Sequence, residues 1–155
     1  MFPDGFLIEE RIGCNVEAAS KKRVLEQLGQ RLAESVPDLT QDLVFDALLE
    51  RERLGSTGLG KGIALPHARM AQVDHAIGSL IKLNEGVDFD AIDGESVDLA
   101  FAMLVPEEAT DEHLQLLSTL AHIFSDSAFC TQLRQAESDN DLFRLMRQRE
   151  ASLIS

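Results

Sequence analysis

The 155-residue sequence predicts an α/β fold: a mixed sheet of about four to five strands flanked by helices on both faces. Three observations carry this. Apolar residues recur at helical spacing in two early and three late segments, whereas residues 62 to 105 alternate or run continuously apolar, as strands do. The longest such run, Val97-Asp-Leu-Ala-Phe-Ala-Met-Leu-Val105, has the pattern of a strand buried on both faces. Pro66, Pro106 and Asp93-Gly94 stop or turn the chain between runs. A chain of this length suits one domain over residues 1–155 and buries roughly 70% of its unfolded surface.

Taken in order, Val16 to Ser35 reads as a helix with Val24, Leu25, Leu28 and Leu32 on its packing face. Thr40 is placed to cap a second helix carrying Val44, Phe45, Leu48 and Leu49, with Asp42 complementing its dipole and an end near Arg51. Gly62-Ile-Ala-Leu reads as a short buried strand that Pro66 ends, since proline has no ladder N–H. His75 to Leu83 is a strand, Val87-Asp-Phe-Asp-Ala a short edge piece, and Val97 to Val105 the long buried strand. Asp88, Asp90, Asp93, Glu95 and Asp98 lack EF-hand spacing and read as a solvated edge. After Pro106, Thr110 or Asp111 caps a third helix to about Phe124, with Leu114, Leu117, Ala121 and Phe124 towards the core. The tail, Ser127 to Arg149, reads as two short helices split near Ser138-Asp-Asn, with Leu133, Leu142, Phe143, Leu145 and Met146 inward.

A formal net charge of −13 excludes the basic face that nucleic acid or anionic headgroups need, and no Trp or Tyr is present to stack on bases. No apolar run approaches the ~20 residues of a membrane span, so no membrane insertion is expected. Met1-Phe-Pro-Asp-Gly lacks the basic start of a secretory leader, so a cytoplasmic location is expected. Cys14 and Cys130 have no metal-ligand spacing and read as free thiols. No metal or cofactor is implied; a protein partner or a small anion remains.

Against this acidic background, Arg51-Glu-Arg-Leu-Gly-Ser-Thr-Gly-Leu-Gly-Lys-Gly-Ile-Ala-Leu-Pro-His-Ala-Arg69 sets four cations, Arg51, Arg53, Lys61 and Arg69, against the single acid Glu52. Clustered positive charge and glycine-freed backbone N–H groups point to an anion. A nucleotide-binding phosphate loop is the first candidate, since Gly55-Ser-Thr-Gly-Leu-Gly60-Lys61 matches up to the lysine. It fails at Gly62, where a hydroxyl is required, and its flanks are a helix and then a strand instead of the reverse. The alternative centres on His67, just past a strand end where α/β sheets bind ligands, with a neutral imidazole as nucleophile and the upstream groups to hold a phosphoryl. His113, in the first turn of the third helix, lies at the positive end of its dipole, while His122 faces the opposite way.

The run Arg51 to His67 closely resembles the active-site segment of the enzyme IIA domains of the phosphotransferase system, fructose/mannitol class, and is most like the nitrogen-branch members. The resemblance runs through most of the chain. It implies that His67 is a phospho-acceptor, phosphorylated by HPr or its nitrogen-branch paralogue. It also implies a second active-site histidine in the helix after the last long strand, which Val105-Pro-x6-His113-Leu matches. Arg51 is then expected to contact the phosphoryl group or its donor, and Ser56, Thr57 and Gly58 to bind phosphate. His113 would orient His67 or bond the phosphoryl group. The chain departs from the family pattern at Arg53, Lys61 and Ala68-Arg69, and Lys61 and Arg69 add positive charge near the acceptor.

The expected function is a phosphoryl-accepting enzyme IIA component that regulates targets such as transporters or kinases by its phosphorylation state. The absence of a fused IIB or IIC segment in this sequence favours that regulatory branch. The alternatives are an enzyme IIA that delivers phosphate to a fructose/mannitol-type IIB for sugar uptake, and a non-catalytic interaction module.

Overall fold

The structure, a computed structural model, describes residues 2–108 and 110–153. Among these residues the chain forms five α-helices around a mixed six-stranded sheet. The strands are β1 (Ile12–Val16), β2 (Gly58–Gly60), β3 (Ile63–Ala64), β4 (His67–Met70), β5 (Ile77–Val87) and β6 (Val97–Pro106). The helices are α1 (Lys21–Glu34), α2 (Gln41–Arg53), α3 (Thr110–Phe124), α4 (Ser127–Gln135) and α5 (Asp139–Ser152). The sheet runs β1-β5-β6-β3-β2, with β4 also on β6; β5 is antiparallel to β6, and β3 and β4 are parallel to it.

β6 is the spine because its side chains alternate between two cores. Leu99, Phe101, Met103 and Val105 pack with α3, α4 and α5; Ala100, Ala102 and Leu104 pack with α1 and α2. Both faces are therefore covered, which explains why its sequence is continuously apolar. Each large side chain removed from water in this way contributes roughly 1.5–3 kcal/mol.

The N-terminal region departs from the single helix expected over Val16 to Ser35. Val16 ends strand β1, and α1 starts at Lys21, where the Ser20 hydroxyl accepts from the Arg23 N–H at 3.2 Å. β1 contains Gly13 and the left-handed Asn15 (φ 57°), so it shows no alternation; its pairing with β5 creates it. Thr40 caps α2 as expected, accepting from the Leu43 N–H at 3.2 Å. β5 extends through Val87, so the separate edge piece expected from Val87 onwards is instead the end of this strand and the loop after it. The cap expected at Thr110 or Asp111 falls where residue 109 and the Thr110 side chain lie outside the described residues; α3 already includes Asp111 in its first turn.

α3 is rotated from the expected phase. His113, Leu116, Leu120, Ile123 and Phe124 are buried, whereas Leu114 is 60% exposed. Both stripes of this helix are largely apolar, so helical spacing alone does not choose between them. The tail folds as expected, with Leu133, Leu142 and Met146 fully buried and Phe143 and Leu145 packed at the margin. Cys14 and Cys130 are free thiols. Among the described residues, no helix is long and apolar enough to cross a membrane.

Candidate active site

Pro66 interrupts the pairing of β3 with β6 without ending it. Lacking an N–H, proline cannot donate to the ladder, but its carbonyl accepts from the Met103 N–H at 3.0 Å, and pairing resumes with His67 opposite Met103. His67 is therefore the first residue of β4, held in register, rather than a loop residue beyond a strand. Ala68 and Met70 pack into the core under α1 and α2, so strand alternation turns His67 and Arg69 to the α3 face.

On that face the imidazoles of His67 and His113 meet edge to face, ring centroids 5.1 Å apart. Both are buried, 9% and 6% exposed. The His67 Nδ1 lies 2.7 Å from the Leu65 carbonyl. A carbonyl only accepts, so Nδ1 carries the proton and Nε2 keeps the lone pair. The His113 Nδ1 has no hydrogen-bond partner among the described residues, and a buried polar atom left so calls for a ligand or a cost.

A pocket of about 230 Å³ opens beside His67, with Arg51, Ser56, Thr57 and Gly58 on one wall and Leu117 and Ala121 of α3 on the other. The Arg51 guanidinium donates to the Gly55 carbonyl at 3.0 Å, which holds it over the loop. Ser56 and Thr57 are present, but their hydroxyls donate elsewhere. Ser56 Oγ bonds the Phe89 carbonyl at 2.8 Å and accepts the Gly58 N–H at 3.0 Å, while Thr57 Oγ1 donates to Glu52. They shape the wall more than they offer free donors. A larger groove of about 630 Å³, lined by Glu17, Arg23, Glu26 and Glu85, lies at the other end of β5 and contains neither histidine.

The glycines serve the backbone. Gly58 and Gly60 form β2, and Gly60, Lys61 and Gly62 make a hairpin turn with φ of 91°, 58° and 84°. The turn is pinned by Asp93, which accepts the Lys61 N–H at 2.8 Å, and by Arg134, which donates to the Lys61 carbonyl at 2.8 Å. Lys61 thus belongs to the β2–β3 turn and is not among the groups that shift either histidine. Arg53 pairs with Glu50 on its own helix. Of the four expected cations, Arg51 and Arg69 act on the imidazoles.

Glu52 is the residue the sequence reading passed over. It is 5% exposed, accepts the Thr57 N–H at 3.0 Å and pairs with Lys21 at 2.9 Å. A signal was available: Val44, Leu48 and Glu52 recur every four residues, which puts a carboxylate on the buried stripe of α2.

The family profile described as phosphoenolpyruvate-dependent sugar phosphotransferase system, EIIA 2, matches residues 5–149. The chain belongs to this enzyme IIA family. A nitrogen regulatory protein of Pseudomonas aeruginosa is 43% identical over 132 residues, 85% of this chain and 86% of the relative. The crystal structure of nitrogen regulatory protein IIA-Ntr from Neisseria meningitidis superposes with a TM-score of 0.86 at 43% identity, covering 90% of this chain and 95% of that one. IIA mannitol from Escherichia coli gives a TM-score of 0.76 at 25% identity, covering 90% and 97%.

In this enzyme IIA the electrostatics keep both rings neutral near pH 7. Burial lowers the pKa of His67, with Arg51 and Arg69 adding to the effect while the Leu65 carbonyl and Glu52 oppose it. Burial, then His67, Arg69 and Arg51, push His113 down to about 4. Between the ordinary value near 6.5 and these lower values the unfolded chain binds more protons than the folded one, so stability rises with pH there. The histidines therefore contribute stability that is complete above about pH 6.5 and lost as pH falls towards 4. His113→Gln removes one of the two groups. Thermal melts at pH 7 and 4.5 should show the acid-induced drop in Tm shrinking by about 2 °C or more in this variant; an unchanged drop would mean His113 does not titrate with folding.

Proposed function

We propose that this enzyme IIA accepts a phosphoryl group on His67 Nε2 from a phospho-histidine carrier, HPr or its nitrogen-branch paralogue. The observation that carries this is the neutral His67, its Nδ1–H tied to the Leu65 carbonyl and its ring 5.1 Å from His113. In the transfer the Nε2 lone pair forms the new P–N bond as the donor's P–N bond breaks and its electron pair returns to the donor imidazole. The ring then gains positive charge, which the Leu65 carbonyl is placed to stabilise. Arg51 and Arg69 hold the phosphoryl oxygens, and His113 supplies a further contact without accepting the group.

Similarity at 43% identity to a nitrogen regulatory protein and to IIA-Ntr supports a regulatory role, with the phosphorylation state of His67 read in the cytoplasm by targets such as transporters or kinases. Similarity to IIA mannitol, at 25%, supports the second reading, delivery of phosphate to a fructose/mannitol-type IIB in sugar uptake. Incubation with phosphoenolpyruvate, enzyme I and an HPr-type carrier tests the acceptor. The expected product is one acid-labile, base-stable phosphoryl group per chain. No label with either carrier would leave a non-catalytic interaction module.

A further inference from the structure

A chain of contacts leads away from His67 through three elements. His67 Nδ1–H donates to the Leu65 carbonyl at 2.7 Å, and the Leu65 N–H donates to the Thr57 carbonyl at 3.0 Å. Thr57 in turn gives both its N–H, at 3.0 Å, and its hydroxyl to the two oxygens of Glu52. Glu52, whose side chain is 2% exposed, is held from α1 by the Lys21 ammonium at 2.9 Å. Lys21 also reaches Asp90 at 3.5 Å and the Phe89 carbonyl at 3.4 Å, and Ser56 bonds that same carbonyl. The wall of the pocket thus hangs on one buried carboxylate.

We propose that Glu52 is a positioning residue for the phosphoryl acceptor: through Thr57 and Leu65 its carboxylate holds the His67 imidazole in the Nδ1–H form, with Nε2 presented to the pocket. This rests on the reading of His67 as the acceptor. Successive bonds in the chain belong to different peptide planes, so the links transmit position rather than electron density. The charge of Glu52 acts on the ring separately, through space, against Arg51. Net stability does not account for the cluster, because a buried ion pair gains little over an apolar pair of the same volume. Fixing the tautomer does account for it, since the wrong tautomer puts the proton on the nucleophilic nitrogen.

The test is a ¹⁵N and ¹H NMR titration of the His67 ring, which needs no phosphodonor. Charged or titratable groups face this ring from α2 (Arg51, Glu52), β4 (Arg69) and α3 (His113). Glu52→Gln keeps the shape and an acceptor for the Thr57 N–H but loses the charge. Its His67 midpoint should fall, because the charge that raises it is gone, with part of the ring moving to the Nε2–H form. Glu50→Gln, an exposed acid one residue before Arg51, should leave both unchanged. Phosphoryl transfer from the carrier should slow about tenfold in kcat with KM held. A folded Glu52→Gln with the wild-type tautomer overturns the proposal whatever its midpoint, as does an equal tautomer shift in Glu50→Gln. Should Glu52→Gln fail to fold, Thr57→Val decides: it removes only the hydroxyl link, so a tautomer shift without a change of midpoint is expected, and a wild-type ring spectrum overturns the proposal. Failure of the wild-type protein to take phosphate would refute the acceptor reading alone, because the titration still reports whether Glu52 positions the ring.

Discussion

His67→Ala should abolish phosphoryl acceptance, by at least ~10³-fold, while His113→Ala keeps it at a rate about 10- to 100-fold lower. The two differ because losing a nucleophile removes the reaction and losing a ligand only weakens the transition state. The proposed roles follow the geometry: the Nδ1–H of His67 is anchored to a backbone carbonyl, leaving Nε2 free, whereas no partner among the described residues fixes the Nδ1 of His113. His75 is exposed beside Asp74, and His122 is exposed on the far side of α3. His75→Ala and His122→Ala should therefore label like wild type. The measurement is acid-labile incorporation from phosphorylated carrier, followed over time for all four variants. Full labelling of His67→Ala would move the acceptor elsewhere, and equal loss in His67→Ala and His113→Ala would mean the two rings act as one unit.

Arg51→Ala should lower kcat/KM for the phosphorylated carrier by about 10²-fold, or about 2.7 kcal/mol of transition-state stabilisation. Among the described residues the guanidinium on the pocket wall makes a single bond, to its own loop, which leaves most of its donors for phosphoryl oxygens. Because that bond is solvent-exposed, stability should change by less than about 1 kcal/mol, and a thermal melt of the variant separates the two effects. Arg51→Lys should recover only part of the rate, since a point charge cannot replace the planar fork. The suitable control is Lys22→Ala, at an exposed position of α1. Lys82 would mislead as a control, because its ammonium closes the C-terminus of α4 through the Arg134 and Ala136 carbonyls. Equal rates for Arg51→Ala and Lys22→Ala would remove Arg51 from the phosphate site.

Elements whose signal is local were legible in the sequence. Thr40 and the Val44-Leu48 stripe announce α2; the apolar run from Val97 announces β6; Ser138 separates the two tail helices, and its hydroxyl caps α5 by accepting the Asp141 N–H. β1, β2 and β4 were not legible. Each is five residues or fewer and is defined by hydrogen bonds to β5, β3 or β6, partners that no window along the chain contains. The phase of α3 was missed for a related reason: two neighbouring stripes are both apolar, and only docking against the sheet selects the one that includes His113.

For the candidate site, the sequence by itself determined the residue types and their order: a histidine after a proline, a glycine-rich run before it, arginines at both ends, and a second histidine at the start of a helix. These follow from backbone rules that act over a few residues, where proline removes a donor and glycine admits positive φ. Which of these residues meet was decided only in three dimensions. Parallel pairing of β4 with β6 turns His67 towards α3 and brings it to His113, forty-six positions later. The hairpin turn at Lys61 and the Glu50 pair of Arg53 take two of the four cations out of the site. Glu52, which the sequence marks only as the single acid among four cations, is buried because Lys21 arrives from α1 to pair with it and Thr57 turns back from the loop after α2 to bond it. A carboxylate is expensive to bury alone and acceptable once paired and hydrogen-bonded, and its cationic partner Lys21 is supplied by the packing of α1, not by spacing along the chain.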